Sequence, residues 1–225
     1  VWTLHDMWPF SGAEHLCQDR RWELGYEKDN RPDHERGLDL NRWVFQRKLK
    51  HWKKPITIVT PSNWLSDCAR ASFLMKSWPI MTIPNCLDTQ FWTPLEQNSE
   101  RKLLRLPLDK KLILFGSYGS NASPNKGFDL LLDALGELQN QKHDYEMVVF
   151  GDFPGHQIPN MDMPFHFLGH ISDDKKLCSL YNAVDAVIIP SRIESFGQVA
   201  SEAQACGTPV VAFATTGLKD IVAHL

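Results

Sequence analysis

The second half of the chain alternates short apolar runs with amphipathic segments, and this alternation constrains the fold more than any other feature. Apolar runs that predict strands lie at residues 111–117, 145–152, 165–170, 186–191 and 209–214. Segments with helical character lie between several of them, at residues 128–140, 173–184 and 196–206. Strands that alternate with helices at this spacing form a parallel sheet covered by helices. We therefore predict an α/β fold that binds its ligands beyond the carboxyl ends of the strands.

The first half carries a shorter version of the same pattern. Residues 56–62 and 79–85 are predicted strands, and residues 63–76 between them are a predicted helix with Ser62 as its N-cap. Residues 11–37 are polar and irregular, which indicates a long loop. All eight tryptophans lie within the first 92 residues, and a polar stretch with a proline follows. We therefore predict two domains, residues 1–99 and 100–225.

Composition narrows the class of protein. The net charge of −3 gives no electrostatic reason to expect a nucleic-acid partner. The five cysteines are scattered without CxxC spacing, which supports neither a disulfide framework nor a zinc site and favours a reducing compartment such as the cytoplasm. No apolar run approaches the ~20 residues that span a bilayer. The chain starts in an apparent strand and stops in an apparent helix, so we interpret it as an internal fragment.

Two loops at the ends of predicted strands contain residues of the types that favour anion binding. Residues 116–128 combine three glycines with Lys126, just before a helix. They lack the GxxxxGK[ST] spacing of a P-loop, and a flexible surface loop with a solvated lysine is the alternative interpretation. The second loop, residues 190–197, contains Gly197 and leads into a helix whose first amides are open to an anion.

Glu194 and Glu202 lie on either side of this helix start. If the helix begins near residue 196, Glu202 is about six residues into it, or ~9 Å along its axis. That separation is too large for the ~5 Å carboxylate pair of a retaining glycosidase, and an extended ligand fits better. The alternative is a pair of solvated charges. The helix also carries small residues that favour close packing, namely Ala200, Ala203, Ala205 and Gly207.

The stretch ESFGQVASEAQACGTPVVAFATTGLKDIV resembles the donor-site signature of retaining GT-B glycosyltransferases of family 4. NKGFDLLLDAL and IPNCLDTQFWTP are similar to two further motifs of that family, and LHDMWPFSG is similar to a stretch of a polysaccharide-assembly subgroup. The resemblance implies two Rossmann-like domains with parallel sheets, both truncated here. It also implies a nucleotide-diphosphate sugar held between the domains, retention of the anomeric configuration and usually no metal.

The resemblance also assigns roles by position. Glu202 would accept hydrogen bonds from the donor ribose, while Glu194 and the amides of residues 195–198 would contact the donor sugar and diphosphate. Lys126 would neutralise the leaving diphosphate, and His5 would approach the sugar near the reacting carbon. Asp6 would orient His5 or cap the following turn. The predicted catalytic residues are His5, Lys126 and Glu194; the predicted donor-binding residues are Gly116, Ser117, Lys126, Glu194, Ser195, Phe196, Gly197, Gln198 and Glu202; no metal ligand is predicted.

Two positions depart from the family pattern. Many members have an arginine after the first glycine of the phosphate loop, where this chain has Ser117, and residues 116–128 contain no arginine. The diphosphate would then be stabilised by Lys126 and backbone amides, or by a charge from elsewhere in the chain. In IPNCLDTQFWTP, which resembles the family's linker motif between the two domains, Cys86 replaces a glycine, which changes a local turn.

The predicted activity is transfer of a sugar from a nucleotide-diphosphate sugar to a carbohydrate or lipid-linked acceptor in bacterial polysaccharide or glycolipid assembly, without a further cofactor. A GT-B epimerase or phosphorylase and a non-catalytic nucleotide-sugar-binding protein are the alternatives. The basic segment 41–54 places Phe45, Leu49 and Trp52 on one helical face. This face is either a core-facing stripe or part of a helix lying on the anionic inner face of a membrane, and a lipid-linked acceptor would favour the latter.

Overall fold

The computed structural model describes residues 1–117, 124–138, 144–151 and 163–222. The chain forms two compact units, Val1–Asn85 and Cys86–Leu225. The division lies earlier than the boundary near residue 100 that composition predicts. The reason is that Trp92 is buried in the core of the second unit, so the residues around it belong to that unit.

The first unit contains a three-stranded parallel sheet in the order β1–β2–β3. Its strands are β1 (Trp2–Thr3), β2 (Ile58–Thr60) and β3 (Ile80–Thr82), and its helices are α1 (Arg21–Leu24), α2 (Leu40–His51) and α3 (Asn63–Ala71). The Ser62 side chain accepts a hydrogen bond from the Leu65 amide at 3.2 Å, which confirms the predicted N-cap of α3.

The polar segment 11–37 is largely irregular, as predicted, but a buried arginine organises part of it. Arg21 is 2% exposed and donates to Asp39 at 2.9 Å, Asn30 at 3.2 Å and Glu35 at 3.3 Å. A buried guanidinium requires such partners, because an unpaired charge in the interior is costly. Arg21 therefore fixes this long connection against α2.

Helix α2 packs its apolar stripe onto the core of the first unit. Phe45 is 1% exposed, and Leu49 and Trp52 pack against the same core, which agrees with the core-facing interpretation. Among the six basic residues of the segment, Lys48 is buried. Its Nζ lies 3.9 Å from the centroid of the Trp8 ring and donates to the carbonyl oxygens of Trp8, Ser11 and Gly12. Lys48 thus ties α2 to the loop that follows β1.

The second unit contains a five-stranded parallel sheet in the order β6–β5–β4–β7–β8. The strands are β4 (Lys111–Ser117), β5 (Tyr145–Gly151), β6 (Phe165–Gly169), β7 (Ala186–Ile189) and β8 (Val210–Ala212). The helices are α4 (Gln97–Leu104), α5 (Phe128–Leu138), α6 (Asp174–Ala183), α7 (Gln198–Ala205) and α8 (Leu218–Ile221), and a 3-10 turn spans Pro124–Lys126. The predicted parallel α/β architecture is confirmed: β4 has the predicted bounds, and the other strands of this sheet begin and end within two residues of theirs.

The strand order fixes where a ligand can bind. The chain proceeds from β4 outward to β5 and β6, and then returns to the other side of β4 with β7 and β8. The loops after β4 and β7 therefore diverge at the carboxyl edge, between two neighbouring strands. In open parallel sheets this switch point forms the ligand crevice.

Candidate functional site

The loop after β4 carries the first part of the site. Gly116, at the end of β4, pairs with Phe150 of β5, and residues 118–123 of the predicted phosphate loop lie outside the described residues. Lys126 ends the 3-10 turn, and Gly127 follows with φ +63°. A Cβ at residue 127 would overlap the carbonyl oxygen of Pro190, so the turn requires glycine in order to approach the loop after β7 this closely.

Lys126 and Glu194 join the two loops at the switch point. The Lys126 Nζ lies 2.7 Å from Glu194 Oε1, and the Ser191 hydroxyl donates to the same oxygen at 2.9 Å. The Glu194 side chain is 18% exposed, which leaves it accessible from the crevice. The structure thus brings together two of the three predicted catalytic side chains as an ion pair.

The backbone around Glu194 is held by the loop after β8. The Glu194 amide donates to the Thr216 hydroxyl at 3.0 Å, and its carbonyl oxygen accepts from the Gly217 amide at 2.8 Å. Both groups of the peptide are therefore satisfied by residues about twenty positions away. This anchoring fixes the main chain from which the carboxylate projects.

Helix α7 starts two residues later than the sequence predicts. Gln198 is its first residue, preceded by Gly197 at φ +107° and by Phe196, which is 7% exposed. The prediction of a start near residue 196 is wrong because the positive φ of Gly197 interrupts the right-handed helix before it. Residues 195–197 form a turn that leads the chain from Glu194 into the amides of the first helical turn, which have no intrahelical acceptor.

Glu202 lies four residues after the start of α7, or ~6 Å along its axis. Its Oε2 accepts from the Tyr181 hydroxyl at 2.9 Å, and its Oε1 accepts from the side-chain Nε2 of Gln198 at 3.1 Å. Burial raises the pKa of this carboxyl above 4.5, while the two hydrogen bonds act in the opposite direction. Glu202 is therefore a half-buried acceptor with a fixed orientation.

Comparison with known proteins then assigns the family. Residues 96–225 match the protein family described as Glycosyl transferases group 1. The chain belongs to this glycosyltransferase family.

Curated relatives of this glycosyltransferase-family chain are D-inositol 3-phosphate glycosyltransferases. The one from Xylanimonas cellulosilytica is 35% identical over 161 residues, which cover 64% of this chain and 37% of the relative. The one from Mycolicibacterium smegmatis is 34% identical over 148 residues, which cover 61% of this chain and 32% of the relative. The chain thus spans about a third of the length of the curated relatives it matches.

Solved structures agree with the glycosyltransferase fold. Sucrose-phosphate synthase from Thermosynechococcus elongatus has a TM-score of 0.65 at 23% identity, covering 89% of this chain and 49% of that one. HepE from Anabaena, solved in complex with UDP and glucose, has a TM-score of 0.54 at 23% identity, covering 75% and 47%. These similarities confirm the predicted GT-B type of α/β architecture.

The remaining predicted catalytic residue of this glycosyltransferase-family chain lies in the first unit. His5 follows β1 and is exposed, whereas every predicted donor-binding residue lies in the second unit. Asp6 caps the following turn through the Trp8 amide at 2.9 Å, one of its two predicted roles. Its other oxygen lies 2.7 Å from Nδ1 of His15, so the histidine that Asp6 contacts here is His15.

Several residues around the donor-binding positions escape sequence reasoning. Tyr181 on α6 reaches Glu202 across 21 positions, Thr216 reaches Glu194, and Arg192 reaches Asp129 across 63 positions. No local sequence pattern marks these contacts, because each joins residues from different elements of the fold.

Across residues 1–117, 124–138, 144–151 and 163–222, no group of three or more His, Cys, Asp or Glu side chains is arranged to hold a metal ion. No helix in the part of the chain described by the structure combines the length and apolar character needed to cross a membrane.

Proposed function

We propose that this chain forms the donor-binding part of an enzyme that transfers a sugar from a nucleotide-diphosphate sugar to a carbohydrate or lipid-linked acceptor. The observation that carries the proposal is the Lys126–Glu194 pair, 2.7 Å apart at the switch point of the second sheet. A cation and a carboxylate on facing loops match the two chemical parts of such a donor, an anionic diphosphate and a sugar rich in hydroxyl groups.

Lys126 supplies the charge that the reaction needs. An ammonium group has three N–H donors, and with one directed to Glu194 the others remain for phosphate oxygens. When the bond between the sugar and the diphosphate breaks, negative charge accumulates on the departing oxygen. A fixed ammonium beside that oxygen lowers the barrier, because it stabilises the transition state more than the ground state. The open amides of α7 act in the same direction.

The two glutamates orient the donor. Glu194 accepts from hydroxyl groups of the sugar, and Glu202 accepts from the ribose hydroxyls of the nucleotide. Tyr181 and Gln198 hold the Glu202 carboxylate in one orientation, which reduces the entropy that must be lost on binding. The proposed donor site therefore combines an anion-binding centre with two hydroxyl-binding carboxylates, without a metal or a further cofactor.

The finer parts of the proposal rest on the motif resemblance. They are retention of the anomeric configuration, membership of family 4, a catalytic role for His5 and a place in bacterial polysaccharide or glycolipid assembly. The structure of HepE with UDP and glucose supports a nucleotide-sugar donor for this fold.

A donor screen with the full-length protein tests the proposal. Nucleotide diphosphate release is measured with UDP-, GDP- and ADP-sugars in the presence of lipid-linked and soluble glycan acceptors, and the anomeric configuration of the product is read by NMR. Acceptor-dependent release with a retained configuration is the expected result. Free sugar or sugar phosphate without an acceptor would instead indicate an epimerase or a phosphorylase. Calorimetric donor binding without any turnover would indicate a binding protein, which the missing loop arginine keeps as the second candidate.

A lipid-linked acceptor leads to the second part of the proposal, peripheral association with the cytoplasmic face of a membrane. Its support is the outer face of α2, where Trp43 is 58% exposed, with the Arg47 guanidinium 4.9 Å from its ring centroid. Lys50 on the same helix is also exposed. Co-sedimentation with phosphatidylglycerol vesicles that weakens with salt is expected, whereas equal binding to phosphatidylcholine vesicles would refute the electrostatic contribution.

A further inference from the structure

Arg192 holds the turn that carries Lys126. Its guanidinium donates to both carboxylate oxygens of Asp129, from Nη1 at 2.8 Å and from Nη2 at 2.6 Å. Nη1 also donates to the carbonyl oxygen of Pro124 at 2.7 Å, and the Arg192 amide donates to the carbonyl oxygen of Asn125 at 2.8 Å. One residue of the loop after β7 therefore contacts the chain on both sides of Lys126.

These contacts form a closed ring with the ion pair of the site. From Arg192 the ring passes through Asn125 to Lys126, across the 2.7 Å contact to Glu194, and back along two peptide bonds to Arg192. Next to this ring, Gly127 lies against the carbonyl oxygen of Pro190. The guanidinium contacts hold the same turn at Pro124 and Asp129, so their loss allows the backbone that carries Lys126 to move relative to Glu194.

Asp129 occupies the first turn of α5, where a carboxylate is favourable near the helix N-terminus. The hydrogen bonds from Arg192 lower the pKa of this carboxyl from 3.8 to about 2, so the pair stays ionised at all pH values at which an enzyme is assayed. The Arg192 guanidinium is thus directed to Asp129 and to a backbone carbonyl.

We propose that Arg192 and Asp129 are a positioning pair that sets the place of the Lys126 ammonium, an inference that rests on the proposed donor site. Binding of the donor diphosphate requires Lys126 to donate to phosphate oxygens while it keeps its contact with Glu194. The pair keeps the backbone of the turn in place during binding, so the ammonium reaches the leaving group without a loop rearrangement. Loss of the Arg192–Asp129 pair lowers kcat for sugar transfer by a larger factor than it lowers the affinity for the donor. The reason is that donor binding also depends on Glu202 and on the amides of α7.

Arg192→Lys and Asp129→Asn test this inference in the full-length protein. Lysine keeps the charge but cannot form the forked contact, and asparagine keeps the shape but removes the carboxylate charge. Since displacements of about 1 Å cost up to about 100-fold in rate, both variants are expected to lower kcat by about 10- to 100-fold with a smaller change in donor KM. The double variant should be no slower than the slower single variant, because the two residues form one contact.

The Asp129→Asn variant separates positioning from direct binding. If Arg192 instead supplied the charge missing from the phosphate loop, releasing it from Asp129 would tighten donor binding and preserve or raise kcat. That result would overturn the positioning role. Lys110→Ala is the matched control, because it removes an exposed ion pair with Asp144, at 2.9 Å, at the amino ends of β4 and β5. The control should leave kcat unchanged.

Hydrogen exchange of the peptide 124–131 provides a readout that needs no turnover. Both variants should accelerate exchange there and leave the peptides of β4 and β5 unchanged. If the wild-type protein is active and both variants show unchanged kcat and unchanged exchange, the positioning role of the pair is refuted and the transferase assignment stays intact. Wild-type protein that neither binds nor transfers any donor would refute the proposed function, and unchanged exchange would then refute the inference as well.

Discussion

Glu202→Gln provides the sharpest separation between a functional and a structural role for a donor-site residue. The substitution keeps the volume of the side chain and an oxygen that can accept from Tyr181, but it removes the charge. A hydrogen bond to a charged group contributes about 1.5–3 kcal/mol, against about 0.5–1.5 kcal/mol for a neutral pair. Loss of the charge from one or two ribose hydrogen bonds should therefore cost about 1–3 kcal/mol of donor binding, or roughly a 5- to 150-fold rise in Kd.

The same substitution should stabilise the fold at neutral pH. Burial raises the pKa of Glu202 above 4.5, so the folded state binds this proton more tightly than the unfolded state does. Ionisation of this carboxyl therefore lowers the free energy of unfolding, and the loss grows as the pH rises from 4.5 through the folded-state pKa. Glutamine does not ionise, so the variant avoids this loss. Weaker donor binding combined with a higher Tm at pH 7 is the expected pair of results.

Isothermal titration with the nucleotide diphosphate and thermal unfolding at pH 4 and pH 7 supply the two measurements. Tyr181→Phe serves as the control, because it removes one hydrogen bond to Glu202 and leaves the charge. It should lower stability by about 0.5–1.5 kcal/mol and weaken donor binding less than Glu202→Gln does. An unchanged Kd together with a lower Tm in Glu202→Gln would refute the ribose-binding role and make the residue a structural acceptor.

Three further substitutions, two of them paired with a control, test the donor site, the turn after Lys126 and the anchoring of α2 in the first unit. Lys126→Ala should lower kcat by about 100-fold or more with a smaller rise in donor Kd, as for other groups that stabilise developing charge, and single-turnover kinetics that show mainly weaker binding would contradict this. Gly127→Ala should destabilise the second unit by about 1–3 kcal/mol in urea unfolding, whereas Gly136→Ala in α5, with nothing within 4 Å of the added carbon, should stabilise it by about 0.5–1 kcal/mol. Lys48→Met should lower the free energy of unfolding by about 1–3 kcal/mol, because it leaves buried carbonyl groups unpaired. The control Lys50→Met, at an exposed position, should stay within about 0.5 kcal/mol of wild type. Equal effects of the two substitutions would refute the structural role of Lys48.

The strand–helix alternation is sufficient to predict the second sheet, because its buried strands are continuous apolar runs that can be recognised in the local sequence. Val148 and Leu114, for example, are fully buried, as a parallel sheet covered by helices requires. The start of α7 was predicted two residues early, since the amino acid at residue 197 was known but its positive φ was not. The positions of Lys126 and Glu194 followed from motif resemblance, whereas their pairing depends on loop geometry.

The contacts that position the site residues were not predictable from local sequence. Arg192 and Asp129, like Tyr181 and Glu202, are brought together by the order of strands, and a single sequence gives no signal for such pairs. Lys48 is one of six basic residues in segment 41–54, and composition does not distinguish a lysine that binds backbone carbonyls from one in water. The catalytic roles of His5, Lys126 and Glu194 remain predictions until they are measured.

The packing of the segment before β4 determines how the second unit could be studied alone. The Leu95 amide donates to Asn182 at 2.7 Å, and Arg101, 3% exposed, donates to the Ala183 carbonyl and to Asp185, each at 2.7 Å. A truncation that begins at residue 100 would remove Trp92 and strip one side of α6, leaving an apolar surface that promotes aggregation. An isolated second unit should therefore begin at Cys86, and its recovery as a soluble monomer would show that the supposed linker is a structural part of that unit.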